Sequence, residues 1–193
     1  MILSLFLRGK EFFISTESFS EVYTVLETRE LADNIVDFLS VFLKKQSNQE
    51  IEKVVFSSGP GSFTSVRVLN SIVRGLYVAY PKIDFTSVSS FLPYFYSIYR
   101  TNSEGIIAVP TMRGDFFVSK FINQTLLETK VCSSEEINKY GCKIYYDNDE
   151  AFNCLNLAKL QIELLNSNIA EFNSSLISNS LDVDYGYCPE FKH

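Results

Sequence analysis

The stretch VVFSSGPGSFTSVRV, residues 54–68, constrains the fold of this chain more than any other. An apolar, β-branched run ends at Gly59-Pro60-Gly61, and a helical pattern begins directly after it. Proline at the second and glycine at the third position predict a type II turn, and Ser62 is placed to cap the following helix. This order of strand, tight turn and helix predicts an α/β protein, a class that often holds phosphate at such a turn.

The turn matches neither common phosphate-binding motif. The Walker type requires G-x-x-x-x-G-K-[ST] and the dinucleotide type requires G-x-G-x-x-G, and neither pattern is present here. Pro60 also lacks an amide hydrogen, so the turn has one donor fewer for an anion. We therefore favour a structural turn with a helix cap. Phosphate binding, with Arg67 and Arg74 as further anion ligands, is the alternative.

Composition limits the function classes further. The chain has 193 residues and is 46% hydrophobic, enough to bury a core as one domain or two small lobes. Its 23 acidic and 17 basic residues give a formal charge of −6, which disfavours independent nucleic-acid binding. The short apolar run before Arg8 is too brief for a secretion signal or a membrane span, so we expect a cytoplasmic protein without membrane association.

Catalytic and metal-binding patterns are absent from the sequence. The single histidine is His193 at the end of the chain, which disfavours Ser-His, Cys-His and two-histidine metal sites. The four cysteines match no zinc spacing, and we expect them to stay reduced. The sequence therefore predicts no catalytic residue, no metal and no cofactor.

Apolar periodicity predicts the secondary structure and two lobes, residues 1–101 and 102–193, separated by a polar break at 101–105. Strands are predicted at 2–7, 11–15, 21–26, 51–57, 84–88, 106–109, 115–121, 125–131 and 143–146. Helices are predicted at 28–45 with Thr28 as N-cap, at 63–80, from Ser89 or Ser90 to about residue 100, after 133–136, and at 149–165.

Two of these helices carry unusually wide apolar faces. Apolar positions span an arc of about 160° in helix 28–45 and about 180° in helix 63–80, whereas a surface helix buries about 100°. Arg67, Asn70 and Arg74 line the opposite side of the second helix. The surplus indicates that each helix also contacts the other helix, the second lobe or another chain.

Three segments, GPGSFTSVRV, RGLY and TSVSS, together resemble the TsaB (YeaZ) family. Its members carry GPGSFTGLRIG, a basic-Gly-Leu step in the same helix, and GVSSL on the next strand. The resemblance is strongest over 52–91 and looser over 2–49 and 106–121. It implies the actin, Hsp70 and sugar-kinase fold, with two ribonuclease-H-like lobes of mixed sheets flanked by helices. The matching motif residues are Gly59, Pro60, Gly61, Ser62, Phe63, Thr64 and Arg67.

The resemblance also implies a function. TsaB proteins are non-catalytic partners of TsaD, the catalytic subunit that makes threonylcarbamoyladenosine at tRNA adenosine 37, and the pair recruits the ATPase TsaE. We therefore expect a TsaD-like partner, a TsaE-like ATPase, indirect tRNA contact and a possible homodimer. Family members pair through the two wide-faced helices, which predicts an interface of Leu31, Ile35, Phe38, Leu39, Phe42, Val66, Leu69, Val73, Leu76 and Tyr77.

Three departures from the family pattern affect the expected site. The usual opening strand, ILAIDTS, is not found, because the chain starts at what resembles the second strand, SLFLRG. Val109-Pro110-Thr111-Met112 replaces IDAR, and Ser65 replaces a glycine. These changes predict a shortened N-terminal lobe without its central strand, and no kinase-type nucleotide site.

Three alternatives stay open at this point. The chain could be an ATP-binding enzyme of the kinase fold, or a self-associating protein without a TsaD role. A peptidase, as the older family name suggests, is disfavoured because the sequence offers neither a metal constellation nor a histidine partner.

Overall fold

The structure is a computed structural model that describes residues 1–46, 50–99, 101–111, 113–123, 125–147 and 177–178. The helix predicted at 149–165 lies outside these residues. Among the described residues, every other predicted strand and helix is present, with end points that differ by at most a few residues.

The first sheet is mixed and has its first strand at the centre. Its strands are β1 (Ile2–Arg8), β2 (Glu11–Ser15), β3 (Ser20–Thr24), β4 (Lys53–Gly59), β5 (Asp84–Ser89) and β10 (Ile177–Ser178), arranged β10-β5-β4-β1-β2-β3. β1 pairs antiparallel with β2 and parallel with β4. The prediction that the central strand is missing is therefore wrong: Ile2–Arg8 is that strand.

The apolar sequence of β1 follows from this central position. Leu3 and Leu5 pack on one face of the sheet, and Ile2 and Phe6 pack on the other. A strand covered on both faces is apolar at nearly every position, as in parallel sheets, so it lacks the simple alternation of an edge strand. The sequence alone did not distinguish this strand from the second strand of the family pattern, because both are short apolar runs before a turn.

Within the described part of the chain, three helices cover the two faces of the first sheet. α1 (Thr28–Lys45) and α2 (Phe63–Ala79) contact each other on one face, and α3 (Phe91–Ile98) packs on the other. Glu27, and not Thr28, occupies the N-cap position of α1. Contact between α1 and α2 explains their wide apolar arcs, because each helix packs against both the sheet and its neighbour.

The second sheet repeats the connectivity of the first. β6 (Glu104–Pro110), β7 (Phe116–Ile122) and β8 (Thr125–Cys132) form an antiparallel meander, and β9 (Ile144–Tyr146) pairs parallel with β6, in the order β8-β7-β6-β9. The short helix α4 (Ser134–Ile137) and a 3₁₀ turn (Asn138–Tyr140) precede β9. The architecture is thus two mixed sheets flanked by helices, as expected.

One apolar core joins the two sheets. Phe117, Phe121 and Tyr145 of the second sheet pack in the same cluster as Phe6 of the first sheet and Phe95 of α3. β10 also connects the two halves, because Ile177 pairs with Val88 at the edge of the first sheet. The predicted division at residue 101 assigned β10 to the second lobe, whereas the structure places it in the first sheet.

Candidate functional site

A small cavity lies where the parallel strands of both sheets end. It follows β1, β4 and β5 of the first sheet, and Val109 of β6 and Asp147 after β9 reach it from the second. Open α/β sheets bind ligands at this end of their parallel strands, so the cavity is the first candidate site. Its polar lining residues include Arg8, Ser57, Ser62, Ser65, Ser90, Tyr94 and Asp147.

The Gly-Pro-Gly turn forms one wall of this cavity with a geometry that differs from the prediction. Gly59 has a φ of 118°, while Gly61 is not among the residues with positive φ, so the turn is not of type II. The Gly59–Pro60 peptide bond is cis. Gly59 also belongs to β4: it pairs with Ser89 after a bulge, and its carbonyl accepts a hydrogen bond from Ser90 N at 2.7 Å. Pairing with β5 thus continues into the predicted turn.

Ser62 caps α2 as predicted. Its side-chain oxygen accepts a hydrogen bond from the backbone N–H of Ser65 at 3.4 Å. Phe63 and Thr64 are the first two residues of the helix, and Arg67 is exposed one turn further on. The Gly59–Ser62 segment therefore starts α2 directly at the cavity, which is the structural role favoured for it.

Aromatic rings and an ion pair lie at the strand ends beside the cavity. Phe6 packs edge-on against Tyr94 with centroids 5.9 Å apart. The guanidinium of Arg8 forms an ion pair with Glu11 at 2.5 Å and lies over the ring of Phe13. Burial raises the pKa of the Tyr94 phenol above its ordinary range, and the negative charge of Asp147 adds to the shift.

The cavity that is left has a volume of about 40 Å³, room for two or three waters. A small-molecule pocket typically measures about 300–1,000 Å³. Within the part of the chain that the structure describes, no group of three or more His, Cys, Asp or Glu side chains is placed to hold a metal ion. In this conformation the cavity is too small for a nucleotide.

Sequence reasoning missed several of the cavity residues. Arg8, Tyr94 and Asp147 lie in three separate parts of the sequence, and the parallel pairing of strands brings them to one end of the fold. Tyr94 reads as one more apolar residue of α3, and Asp147 as one of many scattered carboxylates. Only the strand order could have predicted their proximity.

The predicted partner interface is mostly buried inside the chain. Seven of its ten residues are buried, at most 6% exposed. Six of them pack with the first sheet in one apolar cluster: Leu31, Ile35, Leu39, Phe42, Leu69 and Val73. The seventh, Val66, lines the strand-end cavity. These seven cannot contact a partner in this conformation, so that part of the prediction is wrong. Apolar positions on a helical wheel indicate which face is buried, but they do not indicate whether the same chain or a partner covers that face.

The remaining three predicted interface residues are more accessible. Phe38 is half-buried and stacks on Tyr23 with ring centroids 4.6 Å apart, Leu76 is half-buried, and Tyr77 is exposed. Exposed apolar residues also occur on the outer surfaces of the same helices, where the sequence prediction had not placed an interface: Val36, Val41 and Val78. Asn70, predicted to lie on the outer side of α2, is buried and accepts a hydrogen bond from Arg74 Nε at 2.7 Å.

Among the described residues, none of the helices combines the length and apolarity needed to cross a bilayer. This finding bears on membrane spans alone.

Comparisons with known proteins agree with the architecture. No protein-family profile and no curated protein sequence matches the chain. Among solved structures, it is similar to an uncharacterized protein with similarity to the peptidase YeaZ from Pseudomonas aeruginosa, with a TM-score of 0.58 and 15% identity over 75% of this chain and 74% of that one. It is also similar to YeaZ from Pseudomonas aeruginosa, with a TM-score of 0.57 and 18% identity over 69% of this chain and 68% of that one. The chain therefore has the fold of the YeaZ structures.

Proposed function

We propose that this protein is a divergent, non-catalytic subunit of the TsaB type. It would pair with a TsaD-like catalytic subunit in threonylcarbamoyladenosine modification of tRNA adenosine 37. The observation that supports this proposal most is the YeaZ fold combined with a strand-end cavity of about 40 Å³. A protein with this fold and so little space for a nucleotide is better suited to pairing than to phosphoryl transfer.

The side chains around the cavity support a non-catalytic role. Phe6 and Tyr94 fill space at the end of β1, and Asp147 is the one acidic side chain among the described residues that line the cavity. The carboxylate of nearby Glu11 is engaged by Arg8. Kinase-type chemistry needs acidic ligands for a metal ion and room for phosphates at this point. An aromatic pair in that space excludes the phosphates unless the two sheets move apart.

The surface available to a partner is the outer face of α1 and α2, which we define by Asp33, Val36, Asp37, Val41, Arg67, Arg74, Tyr77 and Val78. Val36 is 62% exposed and Val78 is 80% exposed. Acidic residues lie on the α1 part and basic residues on the α2 part, so the face offers both exposed apolar side chains and charge for orientation. A contact of ordinary size here would bury about 800 Å² per partner.

The tRNA would be bound by the partner. The formal charge of −6 does not favour independent phosphate contacts, and a TsaE-like ATPase would supply the nucleotide chemistry to the assembly. Such an assembly would be cytoplasmic.

Co-purification with a TsaD-like protein from the same organism tests the proposal. We expect the wild-type chain to retain the partner and the Val78→Glu variant to lose it, because an unpaired carboxylate in an apolar contact is costly. Val131→Glu is the matched control, since Val131 is a partly exposed valine on β8 of the other sheet. Absence of complex formation with the wild-type chain, or saturable binding of ATP and magnesium in calorimetry, would contradict the proposal.

Self-association through the same outer face is a second candidate. Asp33 and Asp37 on α1 and Arg67 and Arg74 on α2 would allow α1 of one copy to lie against α2 of another. Light scattering of the protein alone, with and without the TsaD-like subunit, distinguishes a homodimer that gives way to the partner from one that persists.

A further inference from the structure

A groove of about 520 Å³ lies at the opposite end of the first sheet from the strand-end cavity. We call it the basal groove and define it by Leu43, Ile51, Ala79, Tyr80, Pro81 and Ile83. Ile51 and Ile83 precede β4 and β5, and Leu43 and Ala79 belong to the last turns of α1 and α2. The groove therefore opens where two helices end and two parallel strands begin.

The lining of the basal groove is mainly apolar and accessible. Ala79, Tyr80 and Pro81 are exposed, while Leu43, Ile51 and Ile83 are half-buried. Its volume falls within the range of about 300–1,000 Å³ that is usual for binding pockets. Large apolar side chains fit such a space, and they would remove the exposed faces of Tyr80 and Pro81 from water.

The surroundings of the groove are acidic. A recess adjoins it through Met1 and Glu50 and is also lined by Glu17, Ser18 and Glu52. Oε1 of Glu17 accepts a hydrogen bond from Ile2 N at 2.9 Å. The cations here are Lys82 on the groove and the Met1 ammonium, which donates to the Glu50 carbonyl at 2.8 Å and lies 3.7 Å from Glu52. The groove and the recess thus contain three glutamates and two cations, and the C-terminal ends of α1 and α2, which carry partial negative charge, lie at the groove.

The lysines in the last turn of α1 do not line the groove. Lys44 and Lys45 are absent from its lining, and Nζ of Lys45 is 2.5 Å from Oε1 of Glu21 on β3. The charge at the basal groove and recess therefore favours a cationic occupant over an anionic one.

We propose that the basal groove binds a short basic segment of a partner protein, with large apolar side chains in the groove and Lys or Arg side chains at the acidic recess. The groove and recess lie side by side and share Met1 and Glu50, so an extended peptide spans both. This site is distinct from the outer face of α1 and α2 and does not depend on the function proposed above.

Fluorescence anisotropy with three labelled peptides tests the site on the full chain. The probes are KKLFKK, its acidic counterpart EELFEE, and KKSSKK, which keeps the charge and lacks the apolar side chains. We expect saturable binding of KKLFKK and at least about tenfold weaker binding of the other two, with weakening as salt rises. No saturation by KKLFKK at millimolar concentration, or equal binding of EELFEE, would overturn the proposal.

Two variants and two controls locate the binding. Ala79→Arg places a bulky cation in the groove, and Glu50→Lys reverses charge at the recess, so each should weaken KKLFKK by about tenfold or more. Ala32→Arg and Glu104→Lys make the same changes at exposed positions elsewhere and should leave binding unchanged. Thermal melting of all four verifies folding. Unchanged KKLFKK affinity in both groove variants would disprove the site.

Discussion

Gly105 in β6 lies against two aromatic rings of the core between the sheets. A Cβ atom at this position would come within 2.8 Å of Phe121 Cζ and 2.9 Å of Tyr145 Cε2. Both rings are buried and hold their positions by packing against the first sheet, so neither can move aside without disturbing that core. Glycine is required at this position because the two aromatic rings leave no room for a Cβ atom, and not because the backbone has a positive φ.

Replacing Gly105 by alanine should therefore destabilise the protein by about 1–3 kcal/mol through overpacking. The matched control is Gly75→Ala in α2, where a Cβ meets nothing within 4 Å and the better helix propensity of alanine should stabilise by about 0.5–1 kcal/mol. Thermal denaturation of both variants gives shifts of opposite sign. Equal shifts would contradict the close approach at β6.

Glu21 on β3 gives a pH dependence of known sign. Its pKa is lowered by the hydrogen bond from Lys45 and then by that from Tyr23, so the folded state favours the ionised form. A lowered folded pKa contributes stability above the unfolded value, here 4.5, and this stability is lost as pH falls through the folded pKa. Because Lys45 is half-exposed, we expect less than about 1 kcal/mol.

Urea unfolding of the wild type and Glu21→Gln between pH 7 and pH 3.5 measures this contribution. The wild type should be the more stable protein at pH 7, and the difference should shrink as the pH drops below 4.5. Tyr23 is linked to the same group: burial and then the hydrogen bond to Glu21 raise its pKa to about 12. A pH-independent difference would mean that the ion pair is not formed.

At the scale of elements, α2 has one buried face and one exposed face, and both carry apolar residues. Leu69 is 1% exposed and packs with α1 and the first sheet, whereas Val78 on the same helix is 80% exposed. Both are apolar, and the sequence assigned Leu69 to a partner interface because the apolar spacing and the resemblance to the TsaB family both indicated this helix and neither separated its two faces. The strand and helix positions were predictable because periodicity follows from burial, but the identity of the covering surface was not.

Leu69→Glu should therefore unfold the protein instead of merely separating it from a partner. Loss of a buried leucine costs about 2–5 kcal/mol, and an unpaired buried carboxylate adds to that cost. Val78→Glu on the same helix should change the melting temperature by little. Circular dichroism and thermal melting distinguish the two variants. A folded Leu69→Glu protein with a normal melting temperature would show that the α1–α2 core is assigned wrongly.

The Gly-Pro-Gly turn shows the same limit of prediction at the element scale. Ser62 was correctly identified as the cap of α2, because capping depends on neighbours within three residues. The turn type and the central strand were not, because Gly59 is held by pairing to β5 and β1 by pairing to β4. Contacts between residues far apart in the sequence decided both features.

At the scale of the molecule, both sheets use one apolar core. Phe6, Phe13 and Val55 of the first sheet share a cluster with Phe117 and Phe121 of the second. Neither sheet can bury that face alone, so the free energy of unfolding is common to both halves. The predicted boundary near residue 101 separates the sheets in the sequence, and we expect the two halves to unfold together because of the shared cluster.

A chain truncated after residue 101 tests this coupling. We expect it to bind the dye ANS and to aggregate, because the face of α3 and β1 that carries Phe6 and Phe95 loses its cover. The full chain should unfold in a single transition when followed by tyrosine fluorescence and by far-ultraviolet circular dichroism. A monomeric, cooperatively folded 1–101 fragment would contradict a shared core.

The return of the chain from the second sheet to β5 through Ile177 and Ser178 has a mechanical consequence. The polypeptide crosses from one half to the other after β5, and β10 again belongs to the first half. We therefore expect a protease cut near residue 102 to leave two pieces that stay associated. Separating the two halves would require breaking the pairing of the short edge strand β10 with β5 and exposing the apolar core between the two sheets.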